Sequence, residues 1–288
     1  MKELCIAHRM CPNMATEAVG FSNKTEMLKA NAVSIFNSIK NINSKIYLIF
    51  DNCSEEQIDT VKSVFVPSKN LDVEYIFTKN IGNGQTFALQ VKLLEKECSK
   101  FKYLYFSEDD YLYKEFAFEA MIDFLKNDDV DFVSPLDHPD RYSHIVPEKI
   151  KTELRVSNYC HWRKAETTCC TFMTKPNVLK KTREKLSMYA KTDDGSMWQS
   201  ITKESLHNPK LVANSLKEYF MAIFDRQRIQ KYNVKLYPFR TIICYKWKVF
   251  DFKKYTLWNP VPTLAVHLCK PSIPPFSEMI SDYKKLKL

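Results

Sequence analysis

Residues 101–113 read FKYLYFSEDDYLY, and their reading decides the fold. Tyr103-Leu104-Tyr105-Phe106 has the aromatic and aliphatic density of a buried strand. The run ends in Ser107 and three consecutive carboxylates, Glu108, Asp109 and Asp110. Acids crowded at a strand's tip repel one another, and a cation relieves that repulsion. Hard divalent ions such as Mg2+ or Mn2+ take carboxylate oxygens and often share them with phosphates. The competing interpretation is a solvated acidic turn, the usual fate of a charge run.

Upstream, strand and helix alternate. Residues 4–7 form a short apolar run ending at His8 and Arg9, followed by a Cys11-Pro12-Asn13 loop. Between 24 and 39 the apolar positions Met27, Leu28, Ala32, Ile35, Phe36 and Ile39 recur at helical spacing. Residues 45–51 (KIYLIFD) read as a buried strand ending on Asp51, and Ser54 before Glu55 and Glu56 marks a helix N-terminus. A third strand at 72–78 runs into Asn80-Ile81-Gly82-Asn83-Gly84, and a helix carries Phe87 to Glu97. This order predicts an α/β fold with a mainly parallel sheet covered by helices, and ligands at the carboxyl ends of the strands. His8-Arg9, Asp51, Gly82/Gly84 and the 108–110 acids all fall at such ends. Four separately spaced polar sites converging on one sheet edge favour a functional site over a solvated turn.

The 288 residues, 45% hydrophobic and 27% charged, are those of a globular chain able to bury a sizeable core. Its formal charge of +9 suits anionic partners such as nucleotide diphosphates. Lysines are dispersed, no Arg-rich arm or helix-turn-helix pattern appears, and nucleic acid is not expected. The basic tail YKKLKL at 283–288 implies at most peripheral contact with a membrane face. Nine cysteines with no paired spacing argue against a disulfide or zinc framework. A polar N-terminus and no long apolar span point to a cytoplasmic location.

Downstream, 116–125 reads as an amphipathic helix and 131–134 as a short strand. Residues 135–165 are long, polar and aromatic, with the look of a substrate-binding loop that has some strand character. Residues 167–173 read as a buried strand and 177–189 as a helix. Thr192-Asp193-Asp194-Gly195 caps a further helix. Helix is expected at 211–232 and strands at 234–238 and 241–245. Segment 258–262 reads as a turn leading into 263–268 (TLAVHL), which holds His267.

With Asp51, the Glu108–Asp110 triplet, the Asp193-Asp194 pair and His267 in this order, the chain resembles the GT-A fold nucleotide-sugar glycosyltransferases, of the family 2-like bacterial and viral type. The resemblance implies one GT-A-like domain over 1–288, with a nucleotide-sugar-binding half at 1–134 and an acceptor-binding half with a C-terminal extension at 135–288. It implies that the triplet is the family's DXD motif, reading EDD here. Asp110 then holds Mn2+ or Mg2+ bridging the donor's phosphates, His267 is a late metal or phosphate ligand, and Glu108 and Asp109 lie nearer the ribose and sugar. Asp51 is expected on the base or ribose of a UDP-, GDP- or dTDP-linked donor. His8 and Arg9 are expected on base and phosphate, with Gly82 and Gly84 giving backbone access. Asp194, with Asp193 close behind, is the expected general base, and a single dedicated base implies inversion. A glycan or glycolipid acceptor is expected against Asp137, His138 and Trp162.

The chemistry stands beside the resemblance. Breaking a bond to a diphosphate builds negative charge on the leaving group, which a Lewis acid at Asp110 stabilises. An attacking hydroxyl gains from a base. Two alternatives remain open: a sugar-phosphate nucleotidyltransferase, and a non-catalytic nucleotide-sugar or carbohydrate binder. The first wants a Gly-rich phosphate loop near the N-terminus, whereas residues 6–20 contain one glycine and a Cys-Pro break.

Overall fold

A computed structural model describes residues 2–14, 19–143, 153–203 and 253–270, with 273, 278, 280 and 281. The helix expected at 211–232 and the strands at 234–238 and 241–245 lie outside the described residues.

The alternation seen in the sequence becomes β1 (Lys2–Met10), α1 (Lys24–Ile39), β2 (Ser44–Asp51), α2 (Glu55–Val64), β3 (Leu71–Thr78), α3 (Gly82–Glu97) and β4 (Phe101–Glu108). These four strands lie parallel in the order β3-β2-β1-β4. Both faces are covered, so the strands carry apolar residues at successive positions instead of alternating with polar ones. Leu4, Ile6, Ile46, Leu48 and Tyr105 pack on one face with α1 and α2; Cys5, Ala7, Ile49, Leu104 and Phe106 pack on the other with α3. Local chemistry fixes the helix starts. Asn23 accepts the Glu26 N–H, and Ser54 and Gln57 form a reciprocal capping box.

After β4 come β5 (Tyr111–Tyr113), α4 (Ala117–Leu125), β6 (Phe132–Val133), the single turn α5 (Asp140–Ser143), β7 (Leu154–Val156), β8 (His161–Ala165) and β9 (Phe172–Thr174). Then follow α6 (Pro176–Leu186), a 3-10 turn (Ser187–Lys191), α7 (Asp194–Thr202), β10 (Leu257–Val261) and β11 (Ala265–His267). The nine described strands of the main sheet run β3-β2-β1-β4-β9-β6-β10-β8-β7, so strands from either side of residue 134 share it. β9 runs antiparallel between β4 and β6, and β10 is parallel to β6. The expected α/β class with a mainly parallel, helix-covered sheet is borne out. Phe172 stacks on Phe106 with centroids 4.5 Å apart and meets Trp198 edge-on, which ties α7 to β4 through β9.

Two elements differ from the sequence reading. The strand expected over 167–173 is confined to Phe172–Thr174, and the preceding residues form a loop. Their hydroxyls find partners other than a ladder: Thr168 Oγ1 donates to Ser134 Oγ at 2.8 Å and Thr171 Oγ1 to Glu108 Oε2 at 3.0 Å. The segment expected to turn at 258–262 is the strand β10. Pro260 is tolerated in it because the ladder to β6 has ended at Trp258, leaving only β8 alongside.

Candidate active site

β5 and β11 form a separate antiparallel ribbon, with His267 opposite Tyr111. The ribbon brings the last acid of the triplet to the C-terminal histidine across 157 residues. His267 Nε2 lies 3.0 Å from Asp110 Oδ2, its ring stacks on Tyr111 at 4.7 Å, and the Leu268 N–H donates to the Asp110 carbonyl at 2.8 Å. Burial opposes a charge on His267, but the Asp110 carboxylate overrides it and raises the imidazolium to about 11. Burial would likewise raise Asp110, yet His267 holds it below the usual carboxylate range. Asp110 Oδ1 is buried with no hydrogen-bond partner, while the His267 ring also meets the Cys169 thiol.

The other two acids of the triplet are held from within the chain. Glu108 Oε1 accepts from Arg9 Nη2 at 2.6 Å, while its Oε2 takes the Thr171 hydroxyl. Asp109 Oδ2 takes Lys24 Nζ and the Cys11 N–H, both at 2.8 Å, and the residue is 6% exposed. Both acids thus serve first to bind the exit of β4 to neighbouring elements.

The strand-end residues expected around the donor are similarly engaged. Arg9, from β1, donates to the Asn83 carbonyl at 2.6 Å and to the Asn83 side chain, and sits over the rings of Phe87 and Tyr189. It clamps the start of α3 to Glu108. His8 is fully buried, with Nδ1 3.0 Å from Ser107 Oγ, so it does not reach a ligand at the strand ends. Burial, reinforced by Lys24, pushes its imidazole down to about 3 and leaves it neutral. Asp51 accepts the N–H groups of Ile81 and Gly82, both at 2.9 Å, and the Thr78 hydroxyl at 2.8 Å. Burial would raise its carboxyl, but those donors lower it overall. Its visible work is to pin the turn before α3, where Gly82 has φ +81°. Gly84 gives close approach to the 3-10 turn: a Cβ there would stand 2.9 Å from the Ala190 Cα.

The Asp pair at the start of α7 divides its labour. Asp193 is the N-cap, accepting the Ser196 N–H at 2.7 Å. Asp194 follows in the first turn, and its Oδ1 takes the Gly195 N–H at 2.7 Å. Burial raises the Asp194 carboxyl above the usual range, against that N–H and with help from the charges of Asp193 and Glu108. Asp194 lines a cavity of about 170 Å3 together with Leu136, His138, Thr167, Cys169 and Asn259, among others. Cys169 links the cavity to the triplet: burial raises its thiol, His267 acts against that, and the charges of Asp194 and Glu108 bear on it.

The residues expected to meet an acceptor separate. His138 is at the cavity. Asp137 is buried against Arg163, whose Nη2 is 2.6 Å from Oδ1, and it also accepts from Tyr142. Trp162 is fully buried in β8, stacked on Phe124 at 4.5 Å, so its ring offers no face to a sugar. Its β-strand position on the core face, masked in sequence by the polar residues around it, is the physical reason. Lys24, Thr171 and Asn259 were not singled out by the sequence, and Cys169, paired with Cys170 in an apolar run, reads there only as a buried free thiol. Asn259-Pro260 is a turn-like dipeptide that hinted at irregular structure, but nothing local marks Lys24 as the partner of Asp109.

The residues fit a divalent cation in a limited way. Among the described residues no three His, Cys, Asp or Glu side chains converge as a complete metal cage. Asp110 and His267 are nevertheless adjacent, and Asp110 Oδ1 has no hydrogen-bond partner. A two-ligand protein site suits Mg2+ or Mn2+, which keep waters and take their remaining oxygens from phosphates.

No family model matches the sequence, and no curated protein matches it. Several solved structures resemble it. The galactosyltransferase LgtC, in complex with donor and acceptor sugar analogues, aligns at 10% identity over 65% of this chain and 65% of its own, with TM-score 0.38. The mannosyltransferase PcManGT from Pyrobaculum calidifontis, in complex with GDP-Man and Mn2+, aligns at 9% identity over 68% of this chain and 50% of its own, with TM-score 0.44. TarS 1-349 of S. aureus aligns at 14% identity over 65% of this chain and 55% of its own, with TM-score 0.40. The chain spans less than two thirds of the length of each.

Proposed function

We propose that the chain is an inverting, metal-dependent glycosyltransferase with a GT-A-like site, moving a sugar from a nucleotide-diphosphate donor to a hydroxyl of a glycan or glycolipid. The observation that carries this reading is the meeting of Asp110 with His267, with Asp110 Oδ1 unpartnered, at a strand exit whose neighbouring loop leads to Asp194. Asp110 and His267 would hold Mn2+ or Mg2+, which when bound supplies Lewis-acid stabilisation of a departing diphosphate. Asp194 accepts the proton of the attacking hydroxyl: it is half-buried at the cavity, its carboxyl is raised, and its neighbour Asp193 does the capping. A raised carboxyl is a stronger base, which matches it better to a hydroxyl's proton. The positive surface balance attracts the anionic donor. No described helix is long and apolar enough to cross a membrane, and we place the enzyme in the cytoplasm, at most peripheral to a membrane face.

The test is calorimetric. Mn2+ titrated into the wild type with UDP, GDP or dTDP present binds at a single site, and Asp110→Asn weakens that binding by roughly 10–100-fold or more, the scale expected for disturbing a metal site. Equal affinity in the two proteins removes the metal assignment and leaves Asp110–His267 as an ion pair.

A further inference from the structure

The cavity beside Asp194 sits at a break in the sheet. β10 pairs with β6 only through Leu257 and Trp258, while β8 accompanies it as far as Val261. Beyond β6 the chain leaves the sheet through Pro135 and Leu136, whose neighbourhood is tied instead to the Leu264 and Ala265 N–H groups. The opening so made is lined by Leu136 and His138 from the departing segment, Asn259 from β10, and Asp194 and Gly195 from α7. Asn259 is 1% exposed, and its Oδ1 has no hydrogen-bond partner. Buried side-chain acceptors are nearly always satisfied. One left open at a residue that lines a cavity, with half-buried Asp194 in the same lining, is placed to take a donor from a ligand.

The dimensions narrow the ligand. An interior space of about 150 Å3 admits a six-membered ring such as benzene, so about 170 Å3 suits one ring. The wall mixes apolar Leu136 with hydroxyl, imidazole, thiol, carboxamide and carboxylate groups, and its cation Arg141 is drawn aside by Thr167 and Glu166. That mixture matches a pyranose, which carries C–H faces and a hydroxyl-bearing rim.

We propose that this cavity is the subsite for the terminal pyranose of the acceptor and that Asn259 is its specificity residue. Its Oδ1 accepts from a hydroxyl or acetamido N–H on the same ring as the hydroxyl that Asp194 deprotonates. The inference rests on the transferase reading above and names its acceptor class. A ring lacking that donor leaves the carboxamide oxygen buried and unpaired, and sites built around such a group reject the deficient analogue far more strongly than apolar pockets do.

The experiment uses the full chain and methyl pyranosides of glucose, galactose, mannose and their 2-acetamido forms, with binding followed by ligand-observed NMR without donor. At least one glycoside binds. In its deoxy series, loss of one hydroxyl or of the acetamido group weakens binding to the wild type by tenfold or more, and to Asn259→Ala by less than twofold. A second measurement needs no variant: the bound glycoside slows alkylation of Cys169, at the cavity wall, while exposed Cys11 reacts at an unchanged rate. Absence of binding by the whole panel, equal deoxy discrimination in wild type and Asn259→Ala, or unprotected Cys169 under saturating glycoside each overturns the proposal. Nucleotide release from an activated sugar in Mn2+ without glycoside separates the two readings. If it persists while the glycoside results fail, only the subsite falls. If glycosides bind as described but no activated sugar is ever cleaved, the transferase reading falls and the acceptor role falls with it.

Discussion

At the exit of β4, Glu108 and Asp109 are each met by a cation from the chain itself, Arg9 and Lys24, while Asp110 turns to the β11 histidine and keeps an oxygen open. At the start of α7, Asp193 is taken up by the Ser196 N–H, while Asp194 lines a cavity. In both clusters adjacent acids of the same kind have different duties, and what separates them is the nearest fixed donor. A carboxylate that takes two donors from the chain, as Glu108 and Asp109 do, or that caps its helix, as Asp193 does, becomes part of the scaffold. Its neighbour, one residue on, meets the β11 histidine or the adjacent Gly195 N–H, and keeps an open oxygen or a cavity face for chemistry. The scaffold acids still act on the site, since the charges of Glu108 and Asp193 help raise Asp194.

The comparison breaks most visibly at the second cluster. Asp194→Asn is expected to lower sugar transfer by about 10²–10⁴-fold, the usual range for loss of a general base, with donor affinity within twofold of wild type. A variant that transfers normally, with Asp193→Asn inactive instead, reverses the assignment. Next in size is the first cluster. Arg9 and Glu108 form an ion pair with side chains 6% and 21% exposed, and Thr171 and Asn83 complete its hydrogen bonds. Removing one partner of a well-buried pair costs about 3–5 kcal/mol. Arg9→Met therefore lowers unfolding stability in urea towards that range, whereas Asp110→Asn, in a pair whose side chains are 28% and 17% exposed, is expected to cost less. Comparable losses in the two proteins erase the distinction between scaffold and reactive acid.

The strand–helix alternation was plain in the sequence because parallel strands buried on both faces leave unbroken apolar runs, such as KIYLIFD, and because Ser54 announces its helix. The 108–110 acids and the 193–194 pair were visible for the same reason, as charge breaking an apolar pattern. What sequence could not disclose was which acid is spent internally, since Lys24 lies 85 positions before Asp109 and nothing between them signals the contact. Nor could it place Trp162, whose polar neighbours suggested a loop although the ring fills the core against Phe124. Asn259 was hidden by Pro260, which reads as a turn; only the early end of β6 makes that stretch a strand and leaves an opening beside it.

A finer test uses pH. Asp194 acts as a base only when ionised, and its folded carboxyl is raised by burial and by nearby charge. The ionised fraction is therefore lost as pH falls through a value above the ordinary Asp figure of about 3.9. The acid limb of kcat/KM is expected above that figure, with activity rising with pH across it. Asp193→Asn removes one of the charges that raise Asp194, so the limb moves to lower pH. A limb unmoved by Asp193→Asn separates the two acids electrostatically and assigns the limb to another group.

The smallest effect tests the capping half of the same pair. Asn caps a helix about as well as Asp, while Ala cannot accept the Ser196 N–H, and the loss of such a cap costs about 0.5–2 kcal/mol. Asp193→Ala is thus expected to lower unfolding stability by about 1 kcal/mol and Asp193→Asn by a few tenths. Because α7 packs Trp198 against Phe172 and Phe132, a frayed first turn leaves the core in place and displaces Asp194 alone. Transfer by Asp193→Ala should therefore fall further than its stability loss suggests, while Asp193→Asn stays near wild type at neutral pH. If the two variants transfer equally, the position of Asp194 does not depend on the cap, and the pairing of one scaffold acid with one reactive acid holds at β4 only.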